Sequence, residues 1–280
     1  MHHGMIDFPH PLHATSVYGV VALPISKTQM GKLGERLRDA PEPEPPDLEL
    51  LKAVLAAYRE ALQIVNALLR ELGFHPVSRL KITGTIVGKL RRDRRSSLRT
   101  IQDLAGSRVV LDADLIEQDQ AVQAFCEALE RRGFGQSVID RRADPRSGYR
   151  AVHVVAKIDG VPVEIQFRTE LQHLWAQMFE RLADLWGRQI RYDGEPDRND
   201  RADGAWDIRG QMVADFLSFS QDIAITEAQF VDAKAKVADG ARAVGSDYGE
   251  AAWDRRRAVE IVRTAFATLA DAAEREGRPR

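Results

Sequence analysis

The sequence predicts an α+β fold with helical extensions at both ends, on three observations. A long apolar periodicity of three and four residues follows Asp47. Two alternating runs, Tyr149–Ile158 and Val161–Arg168, are separated only by Asp159-Gly160. Around them the elements run helix, strand, helix, strands, helix, with more helical pattern toward the C-terminus.

The elements justify themselves in order. Residues 1–35 are weakly patterned, with a short strand expected at Val17–Leu23. Pro41–Pro46 cannot continue a helix or a central strand and reads as a stiff linker. Leu48, Leu51, Leu55, Tyr58, Leu62, Val65 and Leu69 then mark a helix that Gly73 closes. Ser78 is placed to cap a second helix reaching Arg92. Residues 108–112 read as a buried strand, 114–132 as a helix and 134–140 as a strand. The Asp-Gly pair makes the two alternating runs a hairpin. A helix follows Thr169 to about Trp186, residues 191–205 read as an exposed polar loop, and 206–238 and 247–275 read as long helices. The expected division is an N-terminal segment with linker (1–46), a central domain (47–190), and a loop with C-terminal helices (191–280).

Composition narrows the function. Of 280 residues, 44% are hydrophobic and 29% charged, enough for a full core. The net charge of −2 gives no whole-chain attraction to nucleic acid, so an anion site must come from local clusters of Lys and Arg. The single cysteine, Cys126, forbids an intrachain disulfide and suits a reducing compartment. No run approaches the roughly 18 apolar residues of a transmembrane helix. No signal-peptide pattern opens the chain. Cytoplasm is the expectation.

Three places carry candidate chemistry. A two-residue turn at 159–160 fixes the hairpin register, with 158 facing 161. One face is then wholly apolar. The other gathers Glu164, Gln166, His153, Arg168 and Tyr149, either as a solvated outer face or as a site with a base or metal ligand beside orienting donors. On the expected helix over 79–92, Lys81, Thr85, Lys89 and Arg92 share one side. That row is either a solvated basic face or a cradle for a polyphosphate. Gly84 and Gly88 weaken that helix and suggest a close approach. Asp103 is either a turn residue or a Mg²⁺ ligand, with Glu164 the natural second carboxylate.

Taken together, these segments resemble the synthetase domain of the RelA/SpoT family, which makes the alarmones ppGpp and pppGpp. The resemblance runs from about Arg79 to Trp186. Arg79-Leu-Lys81, Thr85-Ile86 and Lys89-Leu90 look like the family's R-x-K…S-I…K-L segment. Ile101-Gln-Asp103-Leu-Ala-Gly106-Ser-Arg108-Val109 looks like I-x-D-x-x-G-x-R-V. Gly148-Tyr149 with His153 looks like G-Y-x-S-x-H. Glu164-Ile-Gln166-Phe-Arg168-Thr169 matches E-I-Q-x-R-T, and Trp175-Ala176 a following W-A.

The resemblance implies a nucleotidyltransferase-like core built on a mixed β-sheet. It implies Mg²⁺ on Asp103 and Glu164, with Glu164 also a base for the acceptor hydroxyl. Arg79, Lys81, Lys89 and Arg108 would hold ATP, with Thr85 beside them. Tyr149 would stack on guanine, while His153 and Gln166 would order phosphates and the glutamate. The implied reaction moves pyrophosphate from ATP to the 3′-hydroxyl of GDP or GTP, releasing AMP. The chain departs from the pattern at Pro145 and Ser147, where lysine and asparagine are common, leaving Arg146 as the nearest cation. It departs also at Ala151, at Phe179-Glu180 in place of E-H, and at Gly84, where an acidic residue is frequent. No His-Asp dipeptide marks a hydrolase half, so the layout resembles the short synthetase-only members. Two other functions remain open on the sequence. One is a toxin of the same fold acting on the 3′ end of tRNA, with Arg91–Arg95, Arg141-Arg142 and Arg255–Arg257 as the basic track, or making adenosine alarmones. The other is a catalytically degenerate nucleotide-binding module. The C-terminal helices are expected to pack on the domain or to build a homo-oligomer.

Overall fold

A computed structural model describes residues 19–187, 189–190, 205–238, 256–268 and 271. The polar loop expected at 191–205 lies, but for Ala205, outside the described residues. So does most of 247–275 beyond its helical stretch at 256–268. The contacts divide the chain into two compact units. Among the described residues, the first holds those up to Val109, with 121–139 and 153–167, and the second holds 110–120, 140–152 and those from Arg168 onward.

The first unit begins with α1 (Lys27–Asp39), a helix the weak pattern of residues 1–35 did not predict. Ser26 and Gln29 form a reciprocal capping box at its start. Its apolar stripe buries Met30, Leu33 and Leu37. Gly34 is required there, since a Cβ would sit 2.8 Å from Leu98 Cβ. The strand expected at Val17–Leu23 is not formed over the described Gly19–Leu23. Val21 is instead held singly, its N–H donating to Asp159 Oδ2 at 3.0 Å.

The proline run is only partly a linker. Helix α2 (Pro45–Glu71) starts on its last two prolines, where a missing N–H costs no helical hydrogen bond. Arg91 donates to the carbonyls of Ala40 and Pro41, pinning what remains of the connection. All seven apolar residues read from the sequence lie on α2, and six of them are buried there: Leu51, Leu55, Tyr58, Leu62, Val65 and Leu69. Each such burial stabilises by about 1.5–3 kcal/mol.

The expected helix over 79–92 is corrected. Val77–Leu80 is strand β1, and the helix α3 spans only Thr83–Arg92. Strand β1 pairs antiparallel with β2 (Ala105–Leu111), matching Val77 with Arg108 and Arg79 with Gly106. Ser78 therefore caps nothing. Its hydroxyl meets that of Ser107, which donates to the buried Asn66 on α2. After β2 come α4 (Leu115–Arg131) and the strands β3 (Gly135–Asp140), β4 (Val152–Ile158) and β5 (Val161–Thr169). The five strands form one sheet in the order β1-β2-β5-β4-β3. Asp159 (φ 48°) and Gly160 (φ 86°) make the tight hairpin turn predicted for them. Phe167 anchors the apolar side of the sheet, with its ring 5.9 Å from Phe74 and 5.8 Å from Phe125.

The second unit is built on α5 (Glu170–Trp186) and α6 (Ala205–Ala238). Thr169 and Gln172 cap α5 reciprocally. Trp175, Phe179, Phe216 and Phe266 stack in sequence and form the unit's aromatic core. Lys234, near the end of α6, reaches Asp114 at 2.6 Å and Glu117 at 2.9 Å at the start of α4. The expected strand beginning at Tyr149 is shortened: Tyr149 lies in the turn before β4, its N–H returning to Arg146. Among the described residues no helix is long and apolar enough to cross a membrane.

Candidate active site

In the first unit, the residues before α3, the helix itself and the loop before β2 meet around Asp103. Lys81 closes the loop by donating its N–H to the carbonyl of Leu104 at 2.8 Å. Its ammonium donates to Asp103 Oδ2, and Lys89, two turns into α3, donates to Oδ1 at 3.1 Å. The two lysines were expected on one helical face. They converge because strand β1 delivers Lys81 and the helix delivers Lys89.

The electrostatics follow from this geometry. Burial raises the Asp103 carboxyl, but the hydrogen bond and charge of Lys81, joined by Lys89, outweigh it and hold the carboxyl below its ordinary value. Burial lowers Lys81. Asp103 opposes that, yet Lys89 and Arg79 add repulsion, so the ammonium sits below the usual lysine range.

Strand β5 brings the second carboxylate. Its burial alternates, with Val163, Ile165 and Phe167 inside and Glu164 and Gln166 half-buried on the other face. Gln166 Nε2 donates to Glu164 Oε1 at 2.8 Å. His153 Nδ1, from β4, stands 3.6 Å from the same oxygen, beyond hydrogen-bond length. Of the hairpin face read from the register, His153, Glu164 and Gln166 come together, and they are not freely solvated: the His153 and Glu164 side chains are 15% and 16% exposed.

Asp103 and Glu164 line one cleft of about 270 Å³, with Lys89, Ser96, Thr100, Ile101 and Gln102. Ser96, Thr100 and Gln102 were not singled out from the sequence, where hydroxyls and amides in a polar loop carry no pattern. Thr85 on α3, Arg79 on β1 and Arg108 on β2 are not among the lining residues. Arg79 is exposed, and Arg108 is half-buried on its strand. Among the described residues no group of three or more His, Cys, Asp or Glu could hold a metal ion by itself.

Tyr149 and Arg146 belong to the second unit. The guanidinium of Arg168 lies 4.9 Å from the centre of the Tyr149 ring, and its Nη2 donates to the phenol oxygen at 3.1 Å. Arg168 itself is buried, at 2% exposure. Arg146 bridges to Tyr149 through the backbone.

Comparison with known proteins agrees with this architecture. A family model, the region found in RelA / SpoT proteins, matches residues 78–183. Uncharacterized proteins of Mycobacterium bovis (strain ATCC BAA-935 / AF2122/97) and Mycobacterium tuberculosis (strain ATCC 25618 / H37Rv) are each 37% identical over 214 residues, 74% of this chain and 76% of theirs. The crystal structure of small alarmone synthetase 1 from Bacillus subtilis matches with a TM-score of 0.51 at 20% identity, over 68% of this chain and 98% of that one. The same protein bound to its product pppGpp matches at 0.50 and 20%, over 68% and 99%. The α+β fold with its mixed sheet is that of the small alarmone synthetases. The matched segment begins at β1, takes in Asp103 and Glu164 and ends within α5, and on these grounds the chain belongs to the RelA/SpoT family, with a short synthetase-type domain.

Proposed function

We propose that the protein is a (p)ppGpp synthetase that moves the β,γ-pyrophosphoryl group of ATP to the 3′-hydroxyl of GDP or GTP. Family and fold fit a pyrophosphotransferase of this kind. The observation that carries the finer reading is the pair of carboxylates, Asp103 and Glu164, on one cleft edged by a lysine.

That pair suits Mg²⁺, which takes one or two carboxylates and completes its octahedron with phosphate oxygens and water. When bound, Mg²⁺ would neutralise charge developing on the transferring phosphates. The rest falls to the chain. Lys81 and Lys89, now on Asp103, would turn to the phosphates of ATP, with Arg79, Thr85 and Arg108 extending that cradle. Gln166 holds Glu164 by its Oε1 and fixes its direction, and His153 beside it would contact phosphate. Glu164 would take the proton of the 3′-hydroxyl as its oxygen bonds to the β-phosphorus. The bond from that phosphorus to the α,β-bridging oxygen breaks, and AMP leaves. Tyr149, backed by Arg168, would take the guanine, and Arg146 its phosphates. Alignment and charge supply most of the acceleration in such a transfer.

The test is to incubate the protein with Mg²⁺, γ-labelled ATP and, separately, GDP, GTP, AMP or tRNA. The expected result is label on GDP or GTP, AMP released, and a Glu164→Gln variant that is folded but silent. Label on tRNA or AMP selects a different acceptor. No transfer to any acceptor by the folded protein refutes the enzyme and leaves a nucleotide-binding module.

A further inference from the structure

The turn that carries Tyr149 is strained. Ser147 has φ 46° and Gly148 has φ 75°. A serine in the left-handed region costs about 1–2 kcal/mol, so the turn persists only if its surroundings hold it. They belong to α6. Ser220, 2% exposed, donates its hydroxyl to the carbonyl of Gly148. Arg150, 9% exposed, spreads its fork over three residues. Its Nε donates to the carbonyl and hydroxyl oxygens of Ser220, both at 3.2 Å. Its Nη2 donates to Gln221 Oε1 at 2.8 Å, and its Nη1 to the carbonyl of Arg142. Gly148 lies so close to the Trp175 ring that a Cβ would stand 2.7 Å from Cζ2 and 3.2 Å from Leu217 Cδ2. Trp175 is in turn fixed to α6, donating its Nε1–H to the carbonyl of Phe216 at 2.8 Å. One stretch of α6, Phe216–Gln221, therefore grips the chain on both sides of Tyr149.

The far end of the same loop is tied as firmly. Arg142 reaches Asp140 at 2.7 Å, Asp119 at 2.6 Å and Gln118 at 3.1 Å, while its carbonyl receives Arg150. A planar guanidinium can bridge three groups in fixed directions where an ammonium cannot. Arg142 and Arg150 thus join α4, the loop and α6 in one chain of hydrogen bonds.

We propose that α6 sets acceptor recognition: Arg150, Ser220 and Gln221 are positioning residues that hold the 146–150 turn so that Tyr149 is presented, preformed, to a purine nucleotide acceptor. The proposal rests on the function proposed above. It places two of its three positioning residues, Ser220 and Gln221, outside residues 78–183, the segment matched by the family model. Preforming the turn removes an ordering cost from acceptor binding alone. Loosening it should raise the acceptor KM and leave the ATP KM unchanged.

Gln221 is exposed, so its replacement spares the core. Gln221→Ala removes one acceptor from Arg150, and the GDP KM should rise by about threefold to tenfold with the ATP KM unmoved. Gln221→Glu keeps the acceptor atom and should restore the parent value. Ser220→Ala removes two contacts and should have the larger effect. Backbone amide exchange across residues 146–151 should quicken in Gln221→Ala and Ser220→Ala but not in Gln221→Glu. An unmoved GDP KM with unmoved exchange, or an equal rise in both KM values, overturns the proposal. If the parent protein transfers nothing to guanosine nucleotides, the functional reading fails separately. Exchange then decides: faster exchange in Ser220→Ala keeps α6 as the element that fixes the turn, and unchanged exchange refutes it.

Discussion

Replacing Asp103 by asparagine should destabilise the protein even before any nucleotide is added. The shape is kept and the charge removed, which strands Lys81. That side chain is only 10% exposed, with Lys89 and Arg79 as like-charged neighbours. Losing one member of a fully buried pair costs about 3–5 kcal/mol, and losing one of an exposed pair about 0–1. Asp103 is 39% exposed, so solvent screening takes the cost to about 2 kcal/mol. At roughly 2–4 °C per kcal/mol, melting should fall by about 4–8 °C. Lys81→Met should cost less, because Lys89 still serves Asp103 at 3.1 Å. Combining the two removes the stranded cation, so the double variant should recover about 1–2 kcal/mol relative to the sum. Melts of the four proteins without nucleotide measure this. Because the folded Asp103 has a lowered pKa, its stabilisation is present above the ordinary value of 3.8 and lost as pH falls through the folded value. The coupling should fade over that acid range and shrink with salt. A coupling under about 0.5 kcal/mol near neutral pH would refute the reasoning.

Two further outcomes are expected. Glu227 on α6 is 8% exposed; burial raises its pKa, and hydrogen bonds from Thr169 and Gln172 offset this only in part. The folded form then keeps its proton to higher pH than the unfolded one, so the stability it contributes below about 4.5 is lost as pH rises through the folded value. Melts from acid to neutral pH should show the parent losing ground to Glu227→Gln across that range, and a constant difference would contradict it. Phe179→Glu, which puts back an acidic residue common in the family, should cost more than about 4 kcal/mol by opening a cavity and burying a charge. A melting temperature within about 2 °C of the parent would show that position 179 is not core.

What could be read from the sequence was what a single period encodes. Helix α2 and the hairpin were legible because seven apolar positions and one Asp-Gly turn state them directly. Strand β1 was not, since Val77–Leu80 is too short to show alternation and exists only through its pairing with β2. Helix α1 was missed although Ser26 and Gln29 announce its cap. Gly31 and Gly34 dilute its pattern, and the reason for Gly34 is Leu98, far along the chain. The site divides the same way. Glu164, Gln166 and His153 follow from hairpin register. Ser96, Thr100 and Gln102 reach the cleft by loop geometry, which no periodicity records.

Three of the departures from the family pattern, Phe179, Ala151 and Ser147, share a physical setting in the second unit. Phe179 is built into the aromatic stack, between Trp175 at 4.7 Å and Phe216 at 6.3 Å. Ala151 is fully buried. Ser147 occupies the left-handed conformation that asparagine tolerates better. Phe179 and the Ser147 turn both meet α6 or a residue that α6 holds. A Phe in place of a charge gives α5 an apolar surface for Phe216. The helix so docked then supplies Ser220 to the carbonyl of Gly148, next to the residue whose conformation is strained. The aromatic residue on α5 and the serine in the turn are two ends of one arrangement: α6 packs on Phe179 through Phe216 and holds the 146–150 turn through Ser220.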